Sequence, residues 1–391
     1  MVELRLGDLG LHEGGHLLLE RALADIPVGQ ALSVQGVSPT LAIDLAAWCR
    51  AQGHAYDGTR VTRGSATLAR WRGAERAGQP DAALPDAVVE RPPARWGLAA
   101  RGALVEAGAP EPAFLLTDKR SVWSEDVARL YAQAAAAQWD PALAVPWEAV
   151  EELPTEIEGA VVQIMTYLVE NENAALLVPA RFLSQLHPHF REAMQLLAIQ
   201  CADEARHVEV FTRRALLQQG QLGTSSAGGQ ASLQSLMREP DFALAMFLLS
   251  VMGEGTFLSL LWFIREHAPD PVTEAVVRLA AQDEARHVAF GLSHLARHAE
   301  QEPSLRGRLA AAVERRHGAL AQTAGLNQDV FDALTLLAAG SFEPAAIRRG
   351  HRAVSQLQQE MDGARRQRLE RLGFSTGEAE TLSALHTRNF M

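Results

Sequence analysis

The spacing of apolar residues divides the chain into three stretches. Residues 1–77 alternate short apolar runs with turn residues, which predicts a small α+β domain. Residues 78–117 are rich in Pro, Ala and Arg, a composition typical of a linker or of a strap lying over a surface. From residue 118 to residue 391 the apolar residues recur with the period of α-helices. The pattern therefore predicts a mainly α protein with a small α+β domain in front of it.

The first stretch mixes strand and helix patterns. LSVQG and ATLARW are short apolar runs bounded by turn residues, which is typical of strands. HLLLERALADI and PTLAIDLAAWCRAQG have apolar residues at helical spacing, the second with Pro39 at its start. These runs predict two helices packed with a few strands.

One segment of the helical stretch is apolar enough to imitate a membrane span. The segment from Phe242 to Ile264 is 23 residues long and contains a single charge, Glu254, near its middle. Its length would allow a bilayer crossing, but a lone carboxylate in the middle of a bilayer is costly without a partner. We therefore interpret it as a buried helix of a soluble protein, in which Glu254 faces positive charge.

Composition and charge narrow the class of protein further. Apolar residues make up 48% of the chain and charged residues 21%, so a large packed core is expected. The formal charge of −11 argues against non-specific nucleic-acid binding, which needs a basic surface. Cys49 and Cys201 are too few for a disulfide framework, and the N-terminal stretch has no secretory signal pattern. We expect a cytoplasmic protein that binds neither nucleic acid nor membranes.

The strongest signal in the sequence is a repeated motif. Asp-Glu-Ala-Arg-His-Val occurs at residues 203–208 and again at residues 283–288. Residues three apart lie on one face of a helix, so each copy presents a Glu and a His side by side. A single Glu-x-x-His is common on solvated helices, but two such pairs are typical of dinuclear iron or manganese sites in four-helix bundles.

Internal symmetry indicates two further carboxylates. In an antiparallel helical hairpin, residues at equal distances from the turn lie at the same height. Glu254 lies as far before Pro269 as Glu284 lies after it, and the same rule applied around Pro188 selects Glu172 for the first copy. A four-helix bundle with one glutamate on each helix is the arrangement that a dinuclear site requires.

Glu170 is the competitor of Glu172, and helical periodicity separates the two. The residues three, four and seven positions from Glu172 are all apolar, whereas those around Glu170 include Gln163, Thr166 and Asn173. A buried metal ligand is expected on the apolar face of its helix. We therefore predict Glu172 as the ligand and keep Glu170 as the fallback.

The predicted ligands imply the metal. Buried carboxylates without positive charge are very costly, whereas two divalent cations balance four carboxylates. Histidine together with carboxylate favours iron or manganese over magnesium or structural zinc. Two iron ions are the expected cofactor, with manganese or a mixed Mn/Fe pair as the alternative. The ligand set is Glu172, Glu204, His207, Glu254, Glu284 and His287.

Residues next to the ligands have predicted supporting roles. Ligating imidazoles usually donate their second N–H to a carboxylate, so we expect Asp203 to accept from His287 and Asp283 from His207. The alternative is that each aspartate forms a salt bridge with the arginine of its own motif. Three residues are candidates for lining a cavity beside the metals, although Cys201 has the alternative of a small buried hydrophobe. They are Cys201, Met165 and Phe257.

The repeated motif, with a helical glutamate ahead of each copy, resembles the ferritin-like di-iron carboxylate superfamily over about residues 120–300. That superfamily includes ribonucleotide reductase small subunits, acyl-carrier-protein desaturases, multicomponent monooxygenases, rubrerythrins and arylamine N-oxygenases. The N-oxygenases add a histidine one turn before the second Glu-x-x-His, and Ala280 occupies that position here. The resemblance thus indicates the superfamily and leaves the subfamily open.

The resemblance implies an oxidoreductase. Two ferrous ions would activate O2 to hydroxylate, N-oxygenate or desaturate a small organic or carrier-bound substrate, with an external electron donor. A homodimer is compatible with the sequence. Two rival functions stay open: ferroxidase, peroxidase or manganese-catalase-like activity at the same site, and a non-enzymatic, metal-stabilised adaptor.

The N-terminal stretch resembles a second family. GLHEGGH stands where TusA-like sulfur carriers have Gly-Leu-x-Cys-Pro-x-Pro, and SPTLAIDLAAWCRAQGHAY follows the pattern of their second helix. Glu13 occupies the position of the sulfur-bearing cysteine, so a persulfide cannot form there. The resemblance implies a TusA-like fold used for docking or oligomerisation, which is the basis of the adaptor hypothesis.

Overall fold

The computed structural model describes residues 2–66, 70–79, 88–218, 220–320 and 328–386. The chain forms two compact units. The first unit comprises Met1–Pro80 and Ala99–Glu111, and the second comprises Asp81–Leu98 and Pro112–Met391. The stretch predicted as a linker, residues 78–117, therefore contributes to both units.

The first unit is a small α+β fold. Its four-stranded sheet has the order β1-β2-β4-β3, in which β1 and β2 are parallel and the other neighbours are antiparallel. A parallel pair needs a crossover, and α1 provides it. A separate two-stranded antiparallel sheet contains β5 and β6. The elements are β1 Val2–Gly7, a 3₁₀ turn Leu11–Glu13, α1 Gly15–Ala24, β2 Ala31–Gly36, α2 Leu41–Gln52, β3 Ala55–Tyr56, β4 Arg60–Thr62, β5 Glu75–Arg76 and β6 Leu104–Val105.

The core of this unit explains its local pattern. Leu19 and Leu45 project from the two helices onto the sheet, where Leu32 and Val61 are paired on neighbouring strands. The predicted strand LSVQG lies in β2, and both predicted helices are present. The predicted strand ATLARW covers residues 66–71, of which residues 67–69 lie outside the described part of the chain.

The second unit is a helical bundle. Two antiparallel helical hairpins, α6 with α7 and α9 with α10, pack against each other through α7 and α10. Its elements are α3 Lys119–Val122, α4 Val127–Ala136, α5 Pro141–Ala144, α6 Thr155–Leu183, α7 Arg191–Leu216, α8 Ala227–Met237, α9 Phe242–Glu266, α10 Pro271–Gln301, α11 Leu305–Leu320, α12 Gln328–Ala339, α13 Pro344–Arg371 and α14 Thr376–His386, with 3₁₀ turns at Ala94–Trp96, Trp147–Ala149 and Pro188–Phe190.

The ends of the bundle helices follow from local chemistry. Pro188 stands in the turn after α6, and Pro271 occupies the first position of α10, where a missing N–H costs nothing. Asp270 caps α10 by accepting a hydrogen bond from the backbone N–H of Thr273 at 2.8 Å. The two turns that define the hairpins are therefore specified by proline and by a capping carboxylate.

Helix α9 is the segment that resembles a membrane span. It is long and apolar enough to cross a bilayer, but 83% of its most apolar window is buried within the protein. Such burial is typical of a core helix. Its central part, Phe247–Glu254, is π-helical, and Glu254 is the last residue of that part. Single π turns inside α-helices frequently occur at functional sites.

A buried ion-pair network, here called the Arg214 cluster, joins three helices of the bundle. Arg214 donates to both carboxylate oxygens of Glu158, at 2.8 and 2.9 Å, and to Asp270 at 2.6 Å. Its Nε donates to the Thr273 hydroxyl at 2.8 Å. Arg214 is fully buried, so the network ties α6, α7 and the start of α10 together without contact with water.

Candidate metal centre

Four glutamates converge at the middle of the bundle, one from each of its central helices. Glu172 comes from α6, Glu204 from α7, Glu254 from α9 and Glu284 from α10. Each side chain is at most 4% exposed. Together with His207 and His287 they form what we call the glutamate cluster. The six residues predicted as ligands therefore lie together inside the protein.

The glutamate cluster divides into two overlapping groups. In each group, four ligand atoms lie within 4.8 Å of one another, a spacing suited to one metal ion. Glu204 and Glu284 belong to both groups, so they are placed to bridge two metal positions. The first group is Glu172, Glu204, His207 and Glu284, and the second is Glu204, Glu254, Glu284 and His287.

Both imidazoles present the same nitrogen to the carboxylates. His207 Nδ1 lies 3.2 Å from Glu204 Oε2 and 3.5 Å from Glu284 Oε1. His287 Nδ1 lies 3.0 Å from Glu204 Oε1 and 3.4 Å from Glu284 Oε2. The Nδ1 atoms are thus in position to bind metal, which leaves the Nε2 atoms for support.

The supporting contacts cross between the two copies of the motif. His207 Nε2 lies 3.2 Å from Asp283 Oδ2, and His287 Nε2 lies 3.2 Å from Asp203 Oδ2. An Nε2–H that donates to a carboxylate leaves Nδ1 free as a ligand. Each aspartate also contacts the arginine of its own motif, Arg206 or Arg286. The two arrangements considered for the aspartates therefore coexist.

Three further residues, which no motif in the sequence indicates, donate hydrogen bonds to the two aspartates and to Glu254. Gln138 donates to Asp203 at 2.9 Å, and the indole N–H of Trp139 donates to Asp283 at 2.8 Å. Both precede α5, far from the motifs, and no spacing rule points to them. Gln200 donates to Glu254 at 3.0 Å and lies one turn before Glu204, where helical periodicity would have revealed it.

Several buried oxygens of the glutamate cluster lack hydrogen bonds. Burying such an atom without a partner is costly, so most buried polar atoms are paired. Four carboxylates balance the charge of two divalent cations, and the carboxylate and imidazole donors suit iron or manganese. The residues therefore fit a dinuclear metal centre. Within the described part of the chain, the oxygens without a hydrogen-bond partner are Glu172 Oε1, Glu254 Oε2 and Glu284 Oε2.

The electrostatics of the protein alone show the same need for positive charge. Burial, and then the charges of Glu284 and Glu204, raise the pKa of Glu172 well above its usual value. Burial and Glu284 do the same to the pKa of Glu254. Burial alone would lower the pKa of each histidine, but the surrounding carboxylates raise it well above the ordinary value. Without metal, the cluster thus retains protons in place of cations.

Glu204 differs from the other two glutamates just described. Burial by itself would raise the pKa of Glu204, but His287 and His207 outweigh burial and lower that pKa below its usual range. The carboxylate between the two imidazoles is therefore ionised. Both four-residue groups include it.

A narrow cavity lies against one side of the glutamate cluster. Glu172, Glu254 and Glu284 are among the residues that line it, and most of the remaining lining is apolar. Phe257, one of the predicted lining residues, contributes to it. The apolar side chains along it are Ala175, Leu233, Leu236, Leu248, Leu249 and Phe257.

The two other predicted lining residues lie outside this cavity. Met165 is two turns from Glu172, about 10 Å along the helix, and packs in the core. Cys201 is only one turn from Glu204, but its Sγ faces the Leu176 carbonyl at 3.7 Å. Burial raises the pKa of this thiol to about 11, so Cys201 fits its alternative role as a small buried side chain.

The fallback ligand Glu170 lies apart from the metal positions. Its side chain is half-buried and lines a different cleft, together with Asn173 and Leu177. Glu172, two residues later, points into the bundle. The helical periodicity of α6 thus separates the two glutamates as the apolar pattern indicates.

Comparison with known proteins identifies the fold. No family model and no curated protein matches the chain. Among solved structures, a variant of an R2-like ligand-binding oxidase with an aerobically reconstituted Mn/Fe cofactor is 17% identical, with a TM-score of 0.50 over 65% of this chain and 95% of that one. Another variant, with an aerobically reconstituted Fe/Fe cofactor, is 17% identical with a TM-score of 0.51, covering 65% and 95%.

At this level of identity the likeness concerns the fold. It confirms the prediction of a ferritin-like helical domain preceded by a small α+β region. The resemblance of residues 1–77 to TusA-like proteins stays a prediction.

Proposed function

We propose that this protein is a dinuclear metal oxidase that uses O2 to oxidise an organic substrate held beside the glutamate cluster. The observation that carries the proposal is the pair of four-residue groups that share Glu204 and Glu284 inside a closed bundle. The similar solved structures support it, because the R2-like ligand-binding oxidases named above carry Mn/Fe or Fe/Fe cofactors. Two iron ions are the proposed cofactor, with Mn/Fe as the alternative.

The protein's own groups would determine how such a centre is held. A dinuclear iron or Mn/Fe centre, when bound, supplies O2 binding and the electrons for its reduction. Glu204 and Glu284 would bridge the two positions, Glu172 with His207 would complete one, and Glu254 with His287 would complete the other. The fixed positions of these side chains on four helices hold the centre rigidly, because each comes from the middle of a long, packed helix.

The surrounding residues would tune and protect the site. Asp283 and Asp203 hold the histidines with Nδ1 facing the metal positions, and Gln200 holds Glu254. The leucines and Phe257 of the cavity exclude water, which strengthens electrostatic interactions within it. An organic molecule in the cavity would lie directly against Glu172, Glu254 and Glu284. An external electron donor and a cytoplasmic location belong to the proposal as expectations.

Oxygen consumption by the reduced protein tests this function. The Fe(II)-loaded protein should consume O2 rapidly and show a transient visible absorbance, whereas Glu204→Gln should lose both because a bridging carboxylate is removed. Glu209→Gln is the matched control, since Glu209 is exposed on the same helix. Faster turnover with peroxide than with O2 would favour the catalase or peroxidase alternative. Release of ferric ion without retained metal would favour ferroxidase.

The adaptor alternative makes a different prediction. A metal-stabilised adaptor would bind a partner protein through the first unit and consume no O2. Retained partner binding in Glu204→Gln, together with the absence of O2 consumption by the wild type, would favour it over the oxidase.

A further inference from the structure

The helix that carries Glu254 departs from α-helical hydrogen bonding around that residue. At the end of the π-helical part of α9, the backbone N–H of Gly255 donates to the carbonyl of Ser250, five residues earlier. An α-helix would direct that N–H to the carbonyl of Val251, four residues earlier. Val251 is completely buried, so its carbonyl needs another donor.

Arg368, on α13, provides a donor for this carbonyl. Its Nε donates to the Val251 carbonyl oxygen at 2.8 Å inside the bundle. Within the described ranges, the Nη2 of Arg368 has no hydrogen-bond partner. Burial, and then the charges of Arg365 and Arg371, lower the pKa of Arg368 to about 9. A guanidinium is costly to bury in such surroundings, so its contact with the backbone of α9 is what this position provides.

The residue after Glu254 leaves room for this guanidinium. A Cβ atom on Gly255 would lie 2.4 Å from Arg368 Nε and 2.6 Å from its Cζ, well inside the distance at which such atoms normally touch. Glycine weakens a helix, but here the absence of a side chain lets the arginine reach the backbone. The hydrogen bond and the glycine thus independently place Arg368 against α9 beside Glu254.

The two helices that contribute one glutamate each to a single group differ in this respect. Glu172 stands within α6, which is α-helical from Thr155 to Leu183. Glu254 is the last residue of a π-helical stretch, whose hydrogen bonding is less regular. The direction of the Glu254 side chain therefore depends on where the π stretch ends, and Arg368 contacts the backbone at that place.

We propose that Arg368 is a positioning residue for the glutamate cluster. Its hydrogen bond to Val251 fixes the point at which α9 changes from π to α register, and this register places Glu254 in the second four-residue group. Without this donor, the Val251 carbonyl is left buried and unpaired unless the change of register moves along α9, which displaces Glu254. The inference rests on the proposed function where it concerns metal, but the position of Glu254 is testable by itself.

Two substitutions separate the hydrogen bond from the charge. The amide nitrogen of glutamine and the terminal methyl of methionine are as many bonds from Cα as the Nε of arginine, and both side chains are uncharged. Crystal structures of the metal-free proteins should show Glu254 displaced in Arg368→Met and unmoved in Arg368→Gln. Arg371→Met is the control, since Arg371 is exposed at the end of α13. An unmoved Glu254 in Arg368→Met, or an equal displacement in Arg368→Gln, would overturn the inference.

Metal binding provides the functional measurement. Arg368→Met should weaken the metal position that includes Glu254 about 10-fold to 100-fold and leave the position that includes Glu172 unchanged. Competition of Mn(II) with a chelator measures both affinities, and Arg368→Gln should retain them. A purely structural role would weaken both positions together, so equal weakening in Arg368→Met would contradict the inference.

Should Arg368→Met not fold, Gly255→Ala tests the same contact, because the added Cβ displaces the guanidinium. Gly363→Ala is its control, since a Cβ there meets nothing within 4 Å. Unchanged affinity in Gly255→Ala at the position that includes Glu254 would contradict the inference. A wild type that binds no metal, together with a displaced Glu254 in Arg368→Met, would refute the oxidase alone. A wild type that binds metal and consumes O2, with Arg368→Met indistinguishable from it, would refute only the role of Arg368.

Discussion

The Arg214 cluster and the glutamate cluster lie in the same bundle, and both bury several carboxylates. In the Arg214 cluster two carboxylates surround one guanidinium, and the hydrogen bonds of Arg214 are all made within the protein. In the glutamate cluster four carboxylates surround two imidazoles, and several oxygens have no hydrogen bond to any residue that the structure describes. The first is complete as a structural tie. The glutamate cluster needs added positive charge to balance its carboxylates. This need distinguishes a cation-binding site from a structural ion pair.

Removing Arg214 should have the largest effect on stability. Arg214→Met leaves Glu158 and Asp270 buried without a counter-charge, which should lower the free energy of unfolding by about 3–5 kcal/mol. Urea denaturation of the metal-free protein measures it. Arg213→Met is the control, since Arg213 is exposed on the same turn, and it should cost far less. A loss for Arg214→Met no greater than that of the control would show that the cluster is not a structural tie.

Metal binding should stabilise the folded protein by somewhat less than the loss of stability expected for Arg214→Met. A ligand that binds only the folded state at 100 times its dissociation constant adds about 2.7 kcal/mol. The melting temperature should therefore rise with Fe(II) or Mn(II) in the wild type and stay constant in Glu172→Gln. The Glu170→Gln variant is the control and should respond as the wild type does. An equal response of all three proteins would remove Glu172 from the site.

The Glu172→Gln variant should have the opposite effect from Arg214→Met on the stability of the metal-free protein. Because burial and neighbouring carboxylates raise the pKa of Glu172, this carboxyl must take up a proton when the metal-free protein folds, and replacing it with neutral Gln removes that cost. Glu172→Gln should therefore leave the metal-free protein as stable as the wild type or more stable, by urea denaturation. Marked destabilisation would mean that the glutamate cluster acts as a structural network.

The aspartates behind the histidines should have a smaller effect on metal binding. Asp283→Asn keeps the size of the side chain but weakens its hold on His207, so metal affinity should fall about 10-fold to 100-fold. Competition with a chelator measures the affinity. An unchanged affinity would indicate that Asp283 serves only its ion pairs with Arg206 and Arg286.

Lower pH should weaken metal loading gradually. The carboxylates raise the pKa of His207 and of His287, and burial raises the pKa of Glu172 and of Glu254. The metal-free cluster therefore holds protons that the metal must displace, and a fall in pH increases this competition. Titrations at several pH values should show affinity falling as pH falls, and a constant affinity would contradict this electrostatic picture.

Much of the site's position is readable from the sequence because it is periodic. The two motifs place Glu204 with His207 and Glu284 with His287 by helical spacing, and the hairpin turns then select Glu172 and Glu254. All six lie together in the structure. Their role as ligands stays a prediction until a metal is measured.

The parts that the sequence did not indicate depend on contacts without a period. Gln138 and Trp139 reach the aspartates from a connection outside the central helices, and Arg316 reaches the cavity from α11. Met165 lies on the same face of α6 as Glu172, but it is two turns away along the helix axis and so does not line the cavity. Periodicity thus specifies which face of a helix is buried, whereas tertiary packing decides what that face meets.

Anomalous diffraction from crystals of the metal-loaded protein tests the central claim most directly. The account predicts two peaks, one among Glu172, Glu204, His207 and Glu284, and the other among Glu204, Glu254, Glu284 and His287. Data collected across the iron and manganese edges would assign the metals. A single zinc ion, or no metal within the glutamate cluster after loading, would contradict it.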